Sequence, residues 1–143
     1  MEVRTFTIPG KPVGKGRPRF SCNGTYTPEK TANYETLVKW AYAEAYPVQR
    51  PFEDPVELVI TAYYAIPKSW PKKKQQLAQA GELRPMVKPD ADNIVKIISD
   101  ALNGLAYKDD AQVVTVSFEK WYGDPMVNVE LRAYRKQEVR HEP

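Results

Sequence analysis

Five aspartates fall between positions 90 and 110 of this 143-residue chain: Asp90, Asp92, Asp100, Asp109 and Asp110. Closely spaced carboxylates supply the hard oxygen ligands that Mg²⁺ prefers, usually with water and a substrate phosphate completing its octahedral shell. Lys96 lies among them, and a lysine there could stabilise negative charge that develops on a phosphate. We therefore interpret this segment as a metal-dependent site for phosphate chemistry.

The charge distribution favours a polyanionic substrate. The net charge is only +3, but residues 1–20 and 66–88 are basic, whereas residues 89–124 hold seven acids. A protein that only bound phosphate backbones would have no use for this acidic island, because the island repels the ligand. A metal ion between the acids and the phosphate removes the contradiction. The candidate DNA-binding cations are Lys11, Lys15, Arg17, Arg19, Lys72, Lys73, Lys74 and Lys88.

Composition excludes several other chemistries. The single cysteine, Cys22, rules out an internal disulfide and a thiolate metal cluster within one chain. The single histidine, His141, argues against histidine-ligated zinc and a histidine general base. No apolar run has the length of a membrane helix, and the first residues do not resemble a signal peptide. We expect a cytoplasmic protein with one domain over residues 1–135 and a C-terminal tail over 136–143.

Hydrophobic periodicity predicts a single α/β (α+β) domain, with a mixed sheet of about four strands packed against two main helices. The helices are indicated by apolar residues at three- and four-residue spacing, and the strands by alternation. Thr27 and Pro28 are typical of a helix start, and Gly104 of a helix end. The predicted elements are a strand at 3–8, a helix that begins at Thr27-Pro28 and is ended by Pro47, a strand at 55–66, a short helix at 69–80 capped by Ser69, a helix at 92–104, and strands at 112–121 and 126–134.

Helix geometry separates the aspartates by role. Asp92, Lys96 and Asp100 would share the helix face opposite the isoleucines. Asp100 would lie ~12 Å from Asp92 along the axis at ~1.5 Å per residue, too far to share an ion. We therefore interpret Asp100 as a partner of Lys96. A strand at 112–121 beside the segment of Asp90 would bring the other carboxylates to one end of the sheet.

Structural roles for the same aspartates remain open from the residues alone. Asp92 could be a helix N-cap, and Asp109-Asp110 a turn before a strand. The lysine run Lys72–Lys74 could be a solvated surface without a specific partner, and the Gly/Pro-rich basic loop at 11–28 could likewise be only solvated.

Three segments carry a resemblance to the RusA family of Holliday junction resolvases. They are Lys88-Pro89-Asp90-Ala91-Asp92-Asn93-Ile94-Val95-Lys96, then Asp100-Ala101-Leu102-Asn103-Gly104, then Tyr107-Lys108-Asp109-Asp110-Ala111-Gln112-Val113. The loop Gly10–Phe20 and Ile66-Pro67-Lys68-Ser69-Trp70 are also similar to phage-type members. The resemblance runs over nearly the whole chain, in order and spacing.

The resemblance implies a Mg²⁺-dependent homodimer that cuts four-way DNA junctions by paired symmetric nicks in phage or prophage recombination and repair, with Mn²⁺ as an alternative ion. It implies that Asp90, Asp92, Asp110 and Lys96 are catalytic. It also implies that the same three aspartates hold the metal with Asp109 in support, and that Asp100 has a supporting role.

Two other functions are weighed against this one. A module that binds branched DNA without cutting it would have little need of the acidic island. A metal-dependent nucleotide phosphohydrolase would have little need of extended basic segments, because its substrates are small.

Overall fold

The computed structural model describes residues 2–16, 19–21, 24–26 and 29–134, with the backbone alone described for 19–21 and 24–26. Expectations for Arg17, the side chain of Arg19, the Thr27-Pro28 helix start and the tail at 136–143 lie outside these residues.

A four-stranded mixed sheet forms the centre of the fold, in the order β1-β6-β4-β5. Its strands are β1 (Glu2–Pro9), β4 (Val56–Tyr64), β5 (Val113–Tyr122) and β6 (Met126–Ala133). β6 pairs antiparallel with both β1 and β4, whereas β5 pairs parallel with β4. The parallel pair needs a long crossover, and the chain between β4 and β5 supplies it with two helices. β1 and β5 are therefore the two edges of the sheet.

One face of the sheet is covered by helices and the other is open. Strand β4 alternates strictly, with Val56, Leu58, Ile60, Ala62 and Tyr64 buried and the residues between them half-buried. This period-two pattern is what a sheet with one covered face requires. Helix α1 (Glu29–Ala45) and helix α3 (Ala91–Leu102) pack against each other, and both contribute to the core. The fold class predicted from the sequence is confirmed.

Helix α3 has the clearest amphipathic pattern in the chain. Its apolar stripe is fully buried, and Gly104 follows the helix with a φ of +79°, a backbone conformation that suits glycine. Asp92 and Lys96 lie on the exposed side, as predicted. The buried stripe consists of Ile94, Ile97, Ile98, Ala101 and Leu102.

Two local predictions differ from the structure. Helix α2 spans Lys72–Gln79 and begins after Pro71, without a side-chain cap, so the prediction of a Ser69 cap is wrong. The 11–28 segment, predicted as a loop, contains a small hairpin made of β2 (Arg19–Ser21) and β3 (Gly24–Tyr26). Within the part of the chain that is described, no helix is both long and apolar enough to span a membrane.

Candidate active site

The first pair of aspartates lies at the start of α3. Asp90 occupies the N-cap position with an extended backbone, but its side chain makes no capping hydrogen bond. Asp92 lies in the first helical turn, and both side chains are exposed. The alternative that Asp92 is the N-cap is therefore wrong. The two carboxylates face solvent at the positive end of the helix dipole, where negative charge is stabilised.

Strand β4 anchors the segment that leads into this helix. The Tyr64 hydroxyl donates a hydrogen bond to the Pro89 carbonyl at 2.8 Å. Burial, and then the negative charge of Asp90, raises the pKa of Tyr64 to about 12. Tyr64 therefore remains a neutral hydrogen-bond donor at physiological pH, and it fixes the backbone next to Asp90.

The second pair, Asp109 and Asp110, lies at the start of β5. Asp109 caps a short 3-10 helix, Asp110–Gln112, by accepting from the Ala111 N–H at 3.3 Å. Gln112 completes the capping box, since its side-chain oxygen accepts from the Asp109 N–H at 2.9 Å. The Gln112 amide also donates to two backbone carbonyls, of Phe52 at 2.8 Å and Asp54 at 3.0 Å. Asp109 thus has a structural role, which orients the neighbouring Asp110.

Tyr107 ties this second pair to α3. Its buried hydroxyl donates to the Ser99 carbonyl at 2.5 Å. Burial, followed by the charges of Asp110 and Asp100, raises the pKa of Tyr107 above its ordinary value. The segment that carries Asp109 and Asp110 is therefore fixed relative to the last turns of α3.

Lys96 and Asp100 lie on α3 near the second pair. The Lys96 ammonium is 4.0 Å from Asp100 Oδ2, so the predicted pairing within the helix is confirmed. A hydrogen bond in which protonated Asp110 donates to the Asp109 carboxylate, then burial and the charges of Asp109 and Asp100, raise the pKa of Asp110, while Lys96 acts in the opposite direction. The acids around Asp110 therefore concentrate more negative charge than the nearby lysine offsets.

The aspartates form two groups, not one. From Asp90 to Asp100 the helix rises ~15 Å at ~1.5 Å per residue, and it is Asp100 that lies near Asp110. β5 pairs with β4, not with the segment of Asp90, so Asp110 lies near the start of β4 while Tyr64, at its far end, holds Pro89. The expectation that these carboxylates meet at one end of the sheet is not met within one chain.

The donor chemistry nevertheless suits a hard divalent cation. Asp90, Asp92, Asp109 and Asp110 offer exposed carboxylate oxygens, and the raised pKa of Asp110 marks a place where added positive charge is favourable. Among the described residues, no group of three acidic, histidine or cysteine side chains is arranged to hold a metal ion. Mg²⁺ does not require such a group, because one or two carboxylates with water and substrate phosphate commonly suffice.

The basic loop packs directly on the Asp90–Asn93 segment. The Lys15 N–H donates to the Asn93 carbonyl at 3.0 Å, and the Gly16 N–H donates to the buried Thr31 hydroxyl at 2.9 Å. A Cβ on Gly14 would lie 2.8 Å from Pro89 Cβ and 3.0 Å from Asn93 Cβ. Only glycine allows this approach without displacing one of the two segments. The loop therefore supports the site.

Lys15 points inward. Its ammonium contacts Glu35 Oε1 on α1 and lies 3.3 Å from Asp100 Oδ2, with 20% of its side chain exposed. Burial alone would lower the pKa of Lys15, but the hydrogen bonds and charges of Glu35 and Asp100 raise it overall. Sequence reasoning assigned Lys15 to DNA, whereas here it joins the loop to both helices.

The other cations predicted to bind DNA are divided between surfaces. Lys11 and Lys88 are both exposed and both precede the Asp90–Asn93 segment in the chain, Lys88 immediately before Pro89. Lys72, Lys73 and Lys74 are exposed at the start of α2, and Lys74 lies over the Trp70 ring at 4.0 Å. Arg4, which contributed to the basic N-terminal segment, is buried and donates to the Tyr42 hydroxyl at 2.7 Å.

Comparison of the sequence with known proteins identifies the family of this chain. The model of the family Endodeoxyribonuclease RusA matches residues 9–132. The chain belongs to the RusA family. It is also 40% identical over 139 residues to "Uncharacterized protein YqaN" of Bacillus subtilis (strain 168), which covers 92% of this chain and 97% of that protein. This match confirms the family resemblance on which the sequence prediction relied. Membership of the RusA family implies a DNA-cleaving hydrolase of the Holliday junction resolvase type.

Several residues that organise this RusA site were not found from the sequence. Tyr64, Tyr107, Gln112 and Glu35 act by holding backbone or charge, and ordinary core and helix patterns account for each of them. The Tyr107–Gln112 spacing around Asp109 was visible only as part of the family motif. A capping box, Asp109 with Gln112 three residues later, was the one signal that could have been read in advance.

Proposed function

We propose that this protein is a Mg²⁺-dependent, structure-specific endonuclease that resolves four-way DNA junctions in phage or prophage recombination and repair. The observation that carries the proposal is the exposed face of α3 in a RusA-family chain. Lys96 lies on that face, one turn after Asp92 and close enough to Asp110 to affect its charge. Asp90, Asp92, Asp110 and Lys96 are the proposed catalytic residues.

The chain's own groups divide the work in this proposal. Asp90 with Asp92 at the start of α3, and Asp110 with Asp109 in support at the start of β5, would each offer carboxylate ligands to a Mg²⁺ or Mn²⁺ ion, and within one chain the two groups would not share a single ion. Bound there, the ion would polarise the scissile phosphodiester and offset the charge that develops on it. Lys96, with 63% of its side chain exposed, can reach the same phosphate and stabilise the departing oxygen.

Exposed lysines in three parts of the chain support a DNA substrate. Lys11, Lys88 and the Lys72–Lys74 run are exposed, and backbone phosphates can be bound by such side chains without sequence readout. An extended surface of this kind exceeds what a nucleotide would contact. We assign these lysines to the DNA backbone.

We propose a homodimer, since paired nicks need two active sites. The first half of edge strand β5 supports this proposal. Val114 and Val116 are 60% and 46% exposed there, while Arg84 covers the later half by donating to the Lys120 carbonyl at 2.6 Å. A second copy of the chain that covered the open half would bury these valines and would pair unpaired strand groups.

The test uses labelled four-way junction, linear duplex, single strands and nucleotides, each with Mg²⁺ and with EDTA. We expect symmetric, Mg²⁺-dependent nicks in the junction, with the protein sedimenting as a dimer. Junction binding that never leads to cleavage would instead indicate a DNA-binding module, and phosphate release from nucleotides would indicate a phosphohydrolase.

Asp90→Asn should keep junction binding and lower the cleavage rate by about 10²-fold or more, because it removes a metal-binding charge while easing repulsion of phosphate. The matched control is Asp124→Asn, an exposed aspartate in the turn between β5 and β6, which should cleave normally. Equal losses of binding and cleavage in Asp90→Asn would contradict its proposed role.

A further inference from the structure

Lys15 and Lys96 face the same oxygen of Asp100. Lys15 lies 3.3 Å from Asp100 Oδ2, and Lys96 lies 4.0 Å from it. The two lysines differ in exposure, with 20% of the Lys15 side chain and 63% of the Lys96 side chain accessible. Asp100 therefore has a close, half-buried cation on one side and a looser, exposed cation on the other.

Of the two lysines, Lys15 is the one better placed to form the ion pair with Asp100. Its own backbone N–H is fixed to the Asn93 carbonyl, and Gly14 before it packs against Pro89 and Asn93. Its ammonium is shared with Glu35 on α1, so the side chain is held from both ends. An ion pair whose partners are already held in place loses less conformational entropy than one made by a mobile surface lysine.

Among the residues that the structure describes, Lys96 is the cation that would remain beside Asp100 if Lys15 were removed. A carboxylate whose side chain is 28% exposed loses part of its hydration and favours a nearby positive charge. Lys96, one turn away on the same helix, can approach it by a change of rotamer. That movement would take Lys96 away from Asp110 and from the exposed face of α3.

We propose that Lys15 is a positioning residue, which occupies Asp100 so that Lys96 remains directed toward the substrate. The inference rests on the proposed nuclease function, because it concerns how Lys96 acts there. It gives Lys15 a role in the rate of cleavage and not in binding of backbone phosphate. It also assigns a role to Asp100, whose carboxylate fixes the basic loop to α3 through Lys15.

Single-turnover cleavage of a four-way junction with Mg²⁺ tests the proposal, with junction affinity measured separately in Ca²⁺ or EDTA. Lys15→Met should lower the cleavage rate about 10- to 100-fold, the range typical of residues that orient metal ligands and their neighbours. Its affinity for the junction and the salt dependence of binding should stay at wild-type values. Lys15→Arg should recover part of the rate, because it keeps the charge.

A second substitution separates positioning from simple loss of structure. In Lys15→Met/Asp100→Asn the competing carboxylate is gone, so Lys96 is released and the cleavage rate should rise above that of Lys15→Met. Lys39→Met, which removes an exposed lysine of α1, is the matched control and should cleave normally. The thermal unfolding of each variant is measured as well, so that the cleavage assay is run below its unfolding transition.

The outcomes are distinct. A wild-type protein that does not cleave the junction removes the proposed function itself. With an active wild type, weaker binding and a shallower salt slope in Lys15→Met at an unchanged cleavage rate would overturn the positioning role in favour of a phosphate contact. A double variant no faster than Lys15→Met would overturn the competition between the two lysines.

Discussion

Gly14→Ala tests whether the contact between the basic loop and the Asp90–Asn93 segment supports catalysis. The added Cβ would lie 2.8 Å from Pro89 Cβ and 3.0 Å from Asn93 Cβ. Carbon atoms prefer separations of ~3.5–4.0 Å, so the two segments must move apart by roughly 0.5–1 Å. The hydrogen bond from Lys15 N–H to the Asn93 carbonyl, 3.0 Å long, would weaken with them.

The expected cost follows from these two effects. Overpacking of this kind costs about 1–3 kcal/mol, and a weakened backbone hydrogen bond adds up to ~1 kcal/mol. Alanine restricts the unfolded chain and returns ~0.4–1 kcal/mol. The net loss in free energy of unfolding is about 2 kcal/mol, or a fall in Tm of roughly 4–8 °C for a domain of this size.

The rate of cleavage should fall by more than the loss of folding stability alone would cause, because the displaced atoms adjoin Asp90 and Asp92. A misplacement of ~1 Å in an active site can lower the rate by ~10²-fold. Thermal unfolding by circular dichroism and single-turnover cleavage at 25 °C measure the two effects. Gly10→Ala is the control, since Gly10 has a φ of +88° with nothing within 4 Å of an added Cβ. It should lose ~1–2 kcal/mol through strain but cleave at the normal rate once folded.

A Gly14→Ala protein with wild-type Tm and wild-type rate would refute the close approach. Equal losses of cleavage in Gly14→Ala and Gly10→Ala would show that general destabilisation, and not displacement of the motif, governs the rate.

Two further predictions concern charge. Asp109→Asn removes the first cause of the raised pKa of Asp110, so that pKa should fall in a carboxyl NMR titration in EDTA, and an unchanged value would contradict the pairing. Because the pKa of Asp110 is raised in the native state, the native protein holds this proton more tightly than the unfolded chain does. Protonated Asp110 therefore contributes to the free energy of unfolding below pH 3.8, and this contribution is lost as the pH rises through the raised pKa. Asp109→Asn should lessen that loss of stability. Replacement of Lys72, Lys73 and Lys74 by Gln should flatten the salt dependence of junction binding by ~0.9 in slope for each phosphate that these lysines neutralise, while Lys39→Gln leaves it unchanged; an unaltered slope in the triple variant would remove these lysines from the DNA surface.

Local structure in this protein follows closely from its sequence pattern. The alternation in β4 and the isoleucine stripe of α3 gave the correct element type at nearly the correct bounds, because each element buries one face against the same core. The β2–β3 hairpin escaped prediction since each of its strands has three residues, too few to show a period.

Long-range pairing was the part that the pattern could not supply. Nothing in residues 112–121 distinguishes a strand beside β4 from a strand beside the segment of Asp90, yet that choice decides where Asp110 lies. Lys15 shows the same limit for charge. A lysine in a Gly/Pro-rich loop has the same local sequence whether it faces phosphate or two acids, and its partners Glu35 and Asp100 are distant in the chain.

The contacts of the Gly14–Gly16 loop also bear on the order in which the protein folds. They join an early segment of the chain to Thr31 on α1 and to Asn93 and Asp100 on α3. All of them can be made at the same time only when those two helices are already packed together. Because each of these contacts needs a residue of a folded helix as its partner, the loop can take this position only after α1 and α3 have formed and packed against each other. Recovery of cleavage during refolding would accordingly lag behind recovery of helical structure.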